Sequence, residues 1–201
     1  MKNVFLLGMT KTITINSPEQ IKSWLWVIKA LSTDATRPAI HHICVDESGE
    51  IVATDGERLH KWKPEALPAE LTPGVYKVLS KSAKLVVLEN ISEDSSFPDW
   101  KAVVPKDHNH KALIGGSMGI KNQSCCGVVL LETVTPLDFG HVAEALGYGT
   151  VQRKSMHLKG ATCTWEDDTG KNPVCLFPEV DKQAVIMPLR TLVNRNFKFL
   201  D

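Results

Sequence analysis

The feature that most constrains the fold is a switch in hydrophobic period near the start of the chain. Thr12-Ile13-Thr14-Ile15 alternates polar and apolar residues, as a half-buried strand does. Ser17-Pro18-Glu19-Gln20 then opens a helix, with Ser as N-cap, Pro at the first helical position and Gln completing a capping box. Ile21, Trp24, Leu25, Ile28 and Leu31 recur at helical spacing, and residues 34–38 end the element. Short strands follow: 39–45 and 50–53 around a turn at Asp46-Glu47-Ser48-Gly49, then 58–62. The order is strand, helix, then a meander of strands.

The unit then begins again, with losses. Residues 74–79 read as a strand, and Ser80 reads as the cap of a short helix reaching about Asn90. A polar stretch, 92–96, leads into Phe97-Pro98-Asp99-Trp100. In a second region from about Lys106, Gly115, Gly116 and Gly119 argue against a helix, and 127–133 reads as a buried strand. Thr135-Pro136-Leu137-Asp138 reads as the cap of a third helix carrying Phe139, Val142, Ala143 and Leu146, stopped by Gly147. Strands are expected at 154–158, 161–166, 174–177 and 184–187, with a turn at Asp167-Asp168-Thr169-Gly170.

Charge excludes some classes of partner. There are 23 basic and 23 acidic residues, and they divide evenly: 12 and 13 up to Val104, 11 and 10 from Pro105. A polybasic nucleic-acid tail or a membrane-surface patch is not what this balance encodes. The short apolar run near Met1 lacks a cleavage site and no stretch is long enough to span a bilayer, so the expected location is the cytoplasm. Cys44, Cys125, Cys126, Cys163 and Cys175 show no C-x-x-C spacing and read as buried free thiols. His41 and His42 are expected on opposite faces of a strand, and His108 and His110 in a surface loop. No metal or other cofactor is implied. Two acid–base sets, Asp55 with Glu57 and His60, and Asp138 with His141, stand without any nucleophile elbow, P-loop or zinc signature, so an enzyme is not the expected reading.

Three segments carry a resemblance, in order. Arg37-Pro38 with Ile51-Val52-Ala53-Thr54-Asp55-Gly56-Glu57-Arg58-Leu59 resembles the strand–turn–strand signature VATDGHRL of the bacterial DNA polymerase III beta sliding clamps. Phe97-Pro98-Asp99-Trp100-Lys101-Ala102-Val103-Val104-Pro105 is similar to that family's FPDYRRVLP linker between middle and last domains. Ala184-Val185-Ile186-Met187-Pro188-Leu189-Arg190 is similar to its C-terminal YVVMPMRL. The resemblance implies a DNA-clamp-like α+β fold of strand–helix–strand repeats, reduced relative to the family. Residues 1–105 would be a shortened middle domain, 106–190 a shortened last domain, and 191–201 a tail. Phe197, Phe199 and Leu200 in that tail need an apolar partner, either the body of the protein or a peptide groove.

By the same resemblance, the three segments meet in a hydrophobic groove for short peptides of polymerases and repair proteins. Its residues would be Thr54, Gly56, Arg58, Leu59, Pro98, Val103, Val185, Met187, Pro188, Leu189 and Arg190. Gly56 would let a peptide approach the backbone, and Arg58 and Arg190 would orient a polar group at the rim. The family's histidine is Glu57 here, and its final leucine is Thr191. If the chain encircles double-stranded DNA as a homo-oligomer, Lys22 and Lys29 on the first helix and Lys81 and Lys84 on the second would face it. The alternative is a peptide-binding module, or competitor, that forms no ring.

Overall fold

In the computed structural model, residues 12–107, 109–118, 125–130, 133–147, 156–166 and 173–187 are described. The chain runs β1 (Thr12–Ile15), α1 (Pro18–Ile28), a 3-10 turn (Pro38–Ile40), β2 (Ile43–Val45), β3 (Ile51–Thr54) and β4 (Arg58–Trp62). It continues through β5 (Gly74–Lys81), β6 (Val86–Asn90), a second 3-10 turn (Trp100–Val103), β7 (His110–Met118), β8 (Cys125–Leu130) and β9 (Thr133–Asp138). The last elements are α2 (Phe139–Ala145), β10 (Met156–Trp165), β11 (Val174–Glu179) and β12 (Lys182–Ile186). Among the described residues, ten strands form one antiparallel sheet in the order β1-β6-β5-β2-β3-β4-β12-β11-β10-β7, and β8 pairs with β9 in a second, two-stranded sheet.

The sheet's two halves join where β4 pairs β12, with Leu59 opposite Val185 and Arg58 opposite Ile186. Strand alternation sends residues to two cores. Ile51, Ala53, Trp62, Ala184 and Ile186 face the larger core, which also holds Trp24, Val27 and Ile28 of α1 and Val142 and Ala143 of α2. Val52, Leu59, Cys175 and Val185 face the other side, where Trp100 covers them. Because both faces are buried here, Ile51-Val52-Ala53 is a continuous apolar run rather than an alternating one.

Several expectations need correction. Residues 80–90 are not a helix: β5 and β6 pair as a hairpin, closed by Ser82, whose Oγ accepts the N–H groups of Lys84 and Leu85. Val86 and Leu88 are buried at a spacing of two, and β-branched valines favour that pleated setting. The capping box does not form either. Ser17 makes no side-chain cap bond, and Gln20 Nε2 instead donates to the Ala66 carbonyl at 3.3 Å. The helix start rests on Pro18 and on the Ser17 carbonyl, which accepts from Gln20 and Ile21. Residues 38–40 form a 3-10 turn, so His41 and His42 precede β2 rather than alternate within it. Residues 125–138 hold two paired strands, and Thr135-Pro136-Leu137-Asp138 belongs to the second of them, leading directly into α2. The strands expected at 154–158 and 161–166 merge into β10, whose register against β7 shifts between Leu158 and Ala161. The turn expected at 167–170 and the segment 188–201 lie outside the described residues, as does His108.

Candidate functional site: an apolar cavity at the join of the two half-sheets

Three segments, distant in sequence, converge beside the β4–β12 junction. The first is the β3–β4 turn, which holds its own shape. Asp55 Oδ1 accepts the N–H of Glu57 and of Arg58, each at 2.9 Å. Thr54 Oγ1 donates to the Arg58 carbonyl at 2.6 Å and accepts from Gly56 N at 3.0 Å. Gly56 adopts φ +89°, which an L side chain rarely does, and a Cβ there would lie 2.5 Å from Arg37 Nη1. The close approach that glycine permits is therefore filled by Arg37, itself paired with Asp34 at 2.9 Å.

The second segment is the linker before β7. Asp99 Oδ1 accepts from Lys101 N and caps the 3-10 turn that begins with Trp100. Trp100 is buried against Val52, Leu59 and Val185, with Lys61 Nζ 5.7 Å and Lys101 Nζ 5.4 Å from its ring centre. Those cations are anchored in turn: Lys61 to Glu50 at 2.9 Å and Lys101 to Asp46 at 2.8 Å. Burial alone would raise the Asp46 pKa, but hydrogen bonds from Lys101 and Ser48 outweigh it and bring it to about 2. The third segment is the end of β12, where Met187 N donates to the Glu57 carbonyl at 2.8 Å.

Between them lies a cavity of about 200 Å³. Thr54, Gly56, Arg58, Leu59, Pro98, Val103, Val185 and Met187, all anticipated from the sequence, line it together. Ile40, Asp99 and Trp100 line it as well and were not anticipated, although each stands inside or beside a matching segment. Pro188, Leu189 and Arg190 lie outside the described residues. Leu59 and Val185 are each 2% exposed and form the floor, whereas Val103 is 43% exposed at the mouth.

Arg58 differs from its expected role. Its guanidinium turns to the helix side of the sheet, where it pairs with Asp55 Oδ2 at 3.0 Å, with Glu144 of α2, and with the Lys29 carbonyl at 2.7 Å. It ties the turn to both helices, with each of its three nitrogens engaged. His141 Nε2 stands 4.0 Å from Glu57 Oε2, a second link from α2 to the turn. His60 is fully buried, stacked 4.3 Å from the Trp26 ring, with Nδ1 2.8 Å from the Trp26 carbonyl. Burial lowers its pKa to about 3, so it stays neutral at ordinary pH, sealed on the helix side of the sheet. Lys22 is exposed on α1 and Lys29 is half-buried at its end, but Lys81 and Lys84 lie on the β5–β6 hairpin and not on a second helix. Among the described residues, no helix is long and apolar enough to cross a membrane.

No family model and no curated protein sequence matches the chain. Solved structures do. The DNA polymerase III beta subunit of Thermotoga maritima superposes with a TM-score of 0.60 at 11% identity, over 94% of this chain and 69% of that one. The Caulobacter crescentus beta sliding clamp, solved with polyethylene glycol at its proposed beta-motif tethering region, gives 0.59 at 16% identity, over 94% and 68%. The Borrelia burgdorferi beta subunit, in complex with a natural product, gives 0.57 at 13% identity, over 94% and 65%. The chain thus has the fold of the bacterial beta sliding clamps and spans about two thirds of the length of these solved examples.

Proposed function

We infer that the protein is a clamp-like accessory factor of DNA replication or repair that binds short peptide segments of its partners in the apolar cavity. The observation that carries this reading is the convergence of the three sequence segments on one site. A cavity floored by Leu59 and Val185 and walled by Trp100 and Met187 offers apolar area worth about 25 cal/mol per Å² removed from water. Met187 adds a side chain that adapts to differing guests. With the Arg58 charge already paired to Asp55 and Glu144, recognition rests on shape and apolar contact more than on a charged rim. The described lining is largely apolar and His60 is sealed in the core, so a binding role fits better than catalysis.

The test is a titration of a polymerase-derived clamp-binding peptide onto the intact chain and onto Met187→Asp. A charge at the cavity wall is expected to weaken binding by at least about tenfold, roughly 1.4 kcal/mol, with the thermal melt little changed. Equal affinity would show that the peptide goes elsewhere.

A second reading, closure of several copies round DNA, is favoured by one observation. β1 and β7 each use only one edge among the described strands, leaving an edge at either end of the sheet for another copy. Mass by light scattering separates the two: a closed multimer supports a ring, and a monomer that binds the peptide supports a module.

A further inference from the structure

The cavity has a larger and more polar neighbour. We propose that a second, polar cavity of about 570 Å³ on the same face holds a basic arm of the same peptide whose apolar residues fill the first. The proposal rests on the peptide-binding reading above and adds to it the chemistry that selects the ligand.

The two cavities share their walls. Within the Pro38–Ile40 turn, Pro38 and Ala39 line the polar cavity while Ile40 lines the apolar one. In the linker, Ser95 and Ser96 line the polar cavity while Pro98 lines the apolar one. Neighbouring Cα atoms are about 3.8 Å apart, so the ridge between the cavities is one or two residues thick. An extended peptide advances about 3.3 Å per residue and crosses it in two or three positions. A ligand anchored in the first cavity therefore reaches the second without any unusual conformation.

Charge then decides what it carries there. Round the apolar cavity the cations are paired: Arg37 with Asp34, Arg58 with Asp55 and Glu144, Lys61 with Glu50, Lys101 with Asp46. The polar cavity breaks this habit. Lys77 and Glu89 stand directly opposite in the β5–β6 register, yet neither makes an ion pair among the described residues. Asp94, which lines the same cavity, makes none. Two carboxylates, Glu89 and Asp94, thus share this cavity with one ammonium. His42, on the same wall, does not offset them, because burial, then His41 and Lys77, hold its pKa below the usual range. Its Nδ1 is buried without a hydrogen-bond partner. A guanidinium or ammonium side chain satisfies this set, and arginine can address a carboxylate with two parallel hydrogen bonds.

The experiment is selection of a random dodecapeptide display library on the intact chain and on three variants. The wild-type pool is expected to carry an apolar pair with Lys or Arg about three to five positions away. Selection on Glu89→Gln/Asp94→Asn keeps the apolar pair but lowers the basic enrichment about fivefold, near 1 kcal/mol. Selection on Lys77→Gln, which removes the lone cation, raises it. A wild-type pool without basic enrichment, or enrichment indifferent to the double substitution, overturns the proposal. An apolar pair that survives selection on Met187→Asp instead overturns the peptide-cavity reading itself, so the two failures are told apart.

Discussion

Replacing Arg58 with alanine should act on the whole site through the contacts its guanidinium makes on the helix side of the sheet. The guanidinium joins Asp55 of the turn, Glu144 of α2 and the carbonyl of Lys29 at the end of α1. Alanine leaves two carboxylates without their cation and one carbonyl without its donor. Breaking a buried pair from one side costs about 3–5 kcal/mol. Here the side chains are 11% exposed for Arg58, 18% for Asp55 and 32% for Glu144, so solvent recovers part of the loss. We expect about 2–3 kcal/mol, read as a lower urea midpoint in equilibrium unfolding followed by tryptophan fluorescence. Arg58→Lys keeps the charge but cannot serve three acceptors at once, and should lose about half as much. Glu144→Gln, combined with Arg58→Ala in a double-mutant cycle, should show a coupling of about 1 kcal/mol. A cost below about 0.5 kcal/mol, or a coupling near zero, would refute the view that this side chain fastens the cavity wall to the helices.

Other consequences follow from the same geometry. His60 has a folded pKa of about 3 against 6.5 unfolded, so its contribution is complete above 6.5 and lost as pH falls; between pH 7.5 and 5.5 that amounts to about 1.4 kcal/mol. Urea unfolding across that range should show the slope in the wild type and its reduction in His60→Asn, whose amide can still donate to Trp26. Gly56→Ala should cost about 1–2 kcal/mol in a thermal melt, because it meets both a positive φ and Arg37 Nη1. Asp46→Asn should cost about 1 kcal/mol at neutral pH and loosen Trp100. Since the Asp46 pKa is depressed to about 2 from 3.8, that difference should fade as pH drops below 3.8 toward 2.

Local pattern revealed some of this molecule and tertiary context the rest. Ile21, Trp24 and Ile28 announce α1 because a helix that covers one face of a sheet repeats its apolar residues at 3.6. Val86 and Leu88 carried a period of two over only three positions, too short to outweigh a serine that resembled a cap, so the hairpin was missed. The cavity was legible because its walls are contiguous segments, one of them a turn whose Thr, Asp and Gly close on themselves. The engagement of the Arg58 guanidinium on the helix side of the sheet was not legible. It follows from strand parity, since Arg58 shares a face with His60 and Trp62, and from Glu144, which is 86 residues away. The polar cavity was hidden for the same reason, its wall being assembled from the Pro38–Ile40 turn, β5, β6 and the linker.

The most direct measurement of the central claim is where a bound peptide lies. A clamp-binding peptide bearing a photoactivatable phenylalanine analogue at its apolar anchor, crosslinked to the intact chain and mapped by mass spectrometry, should label Trp100, Val103 or Met187. Crosslinks confined to α1, or labelling unchanged by an excess of the unmodified peptide, would contradict the account.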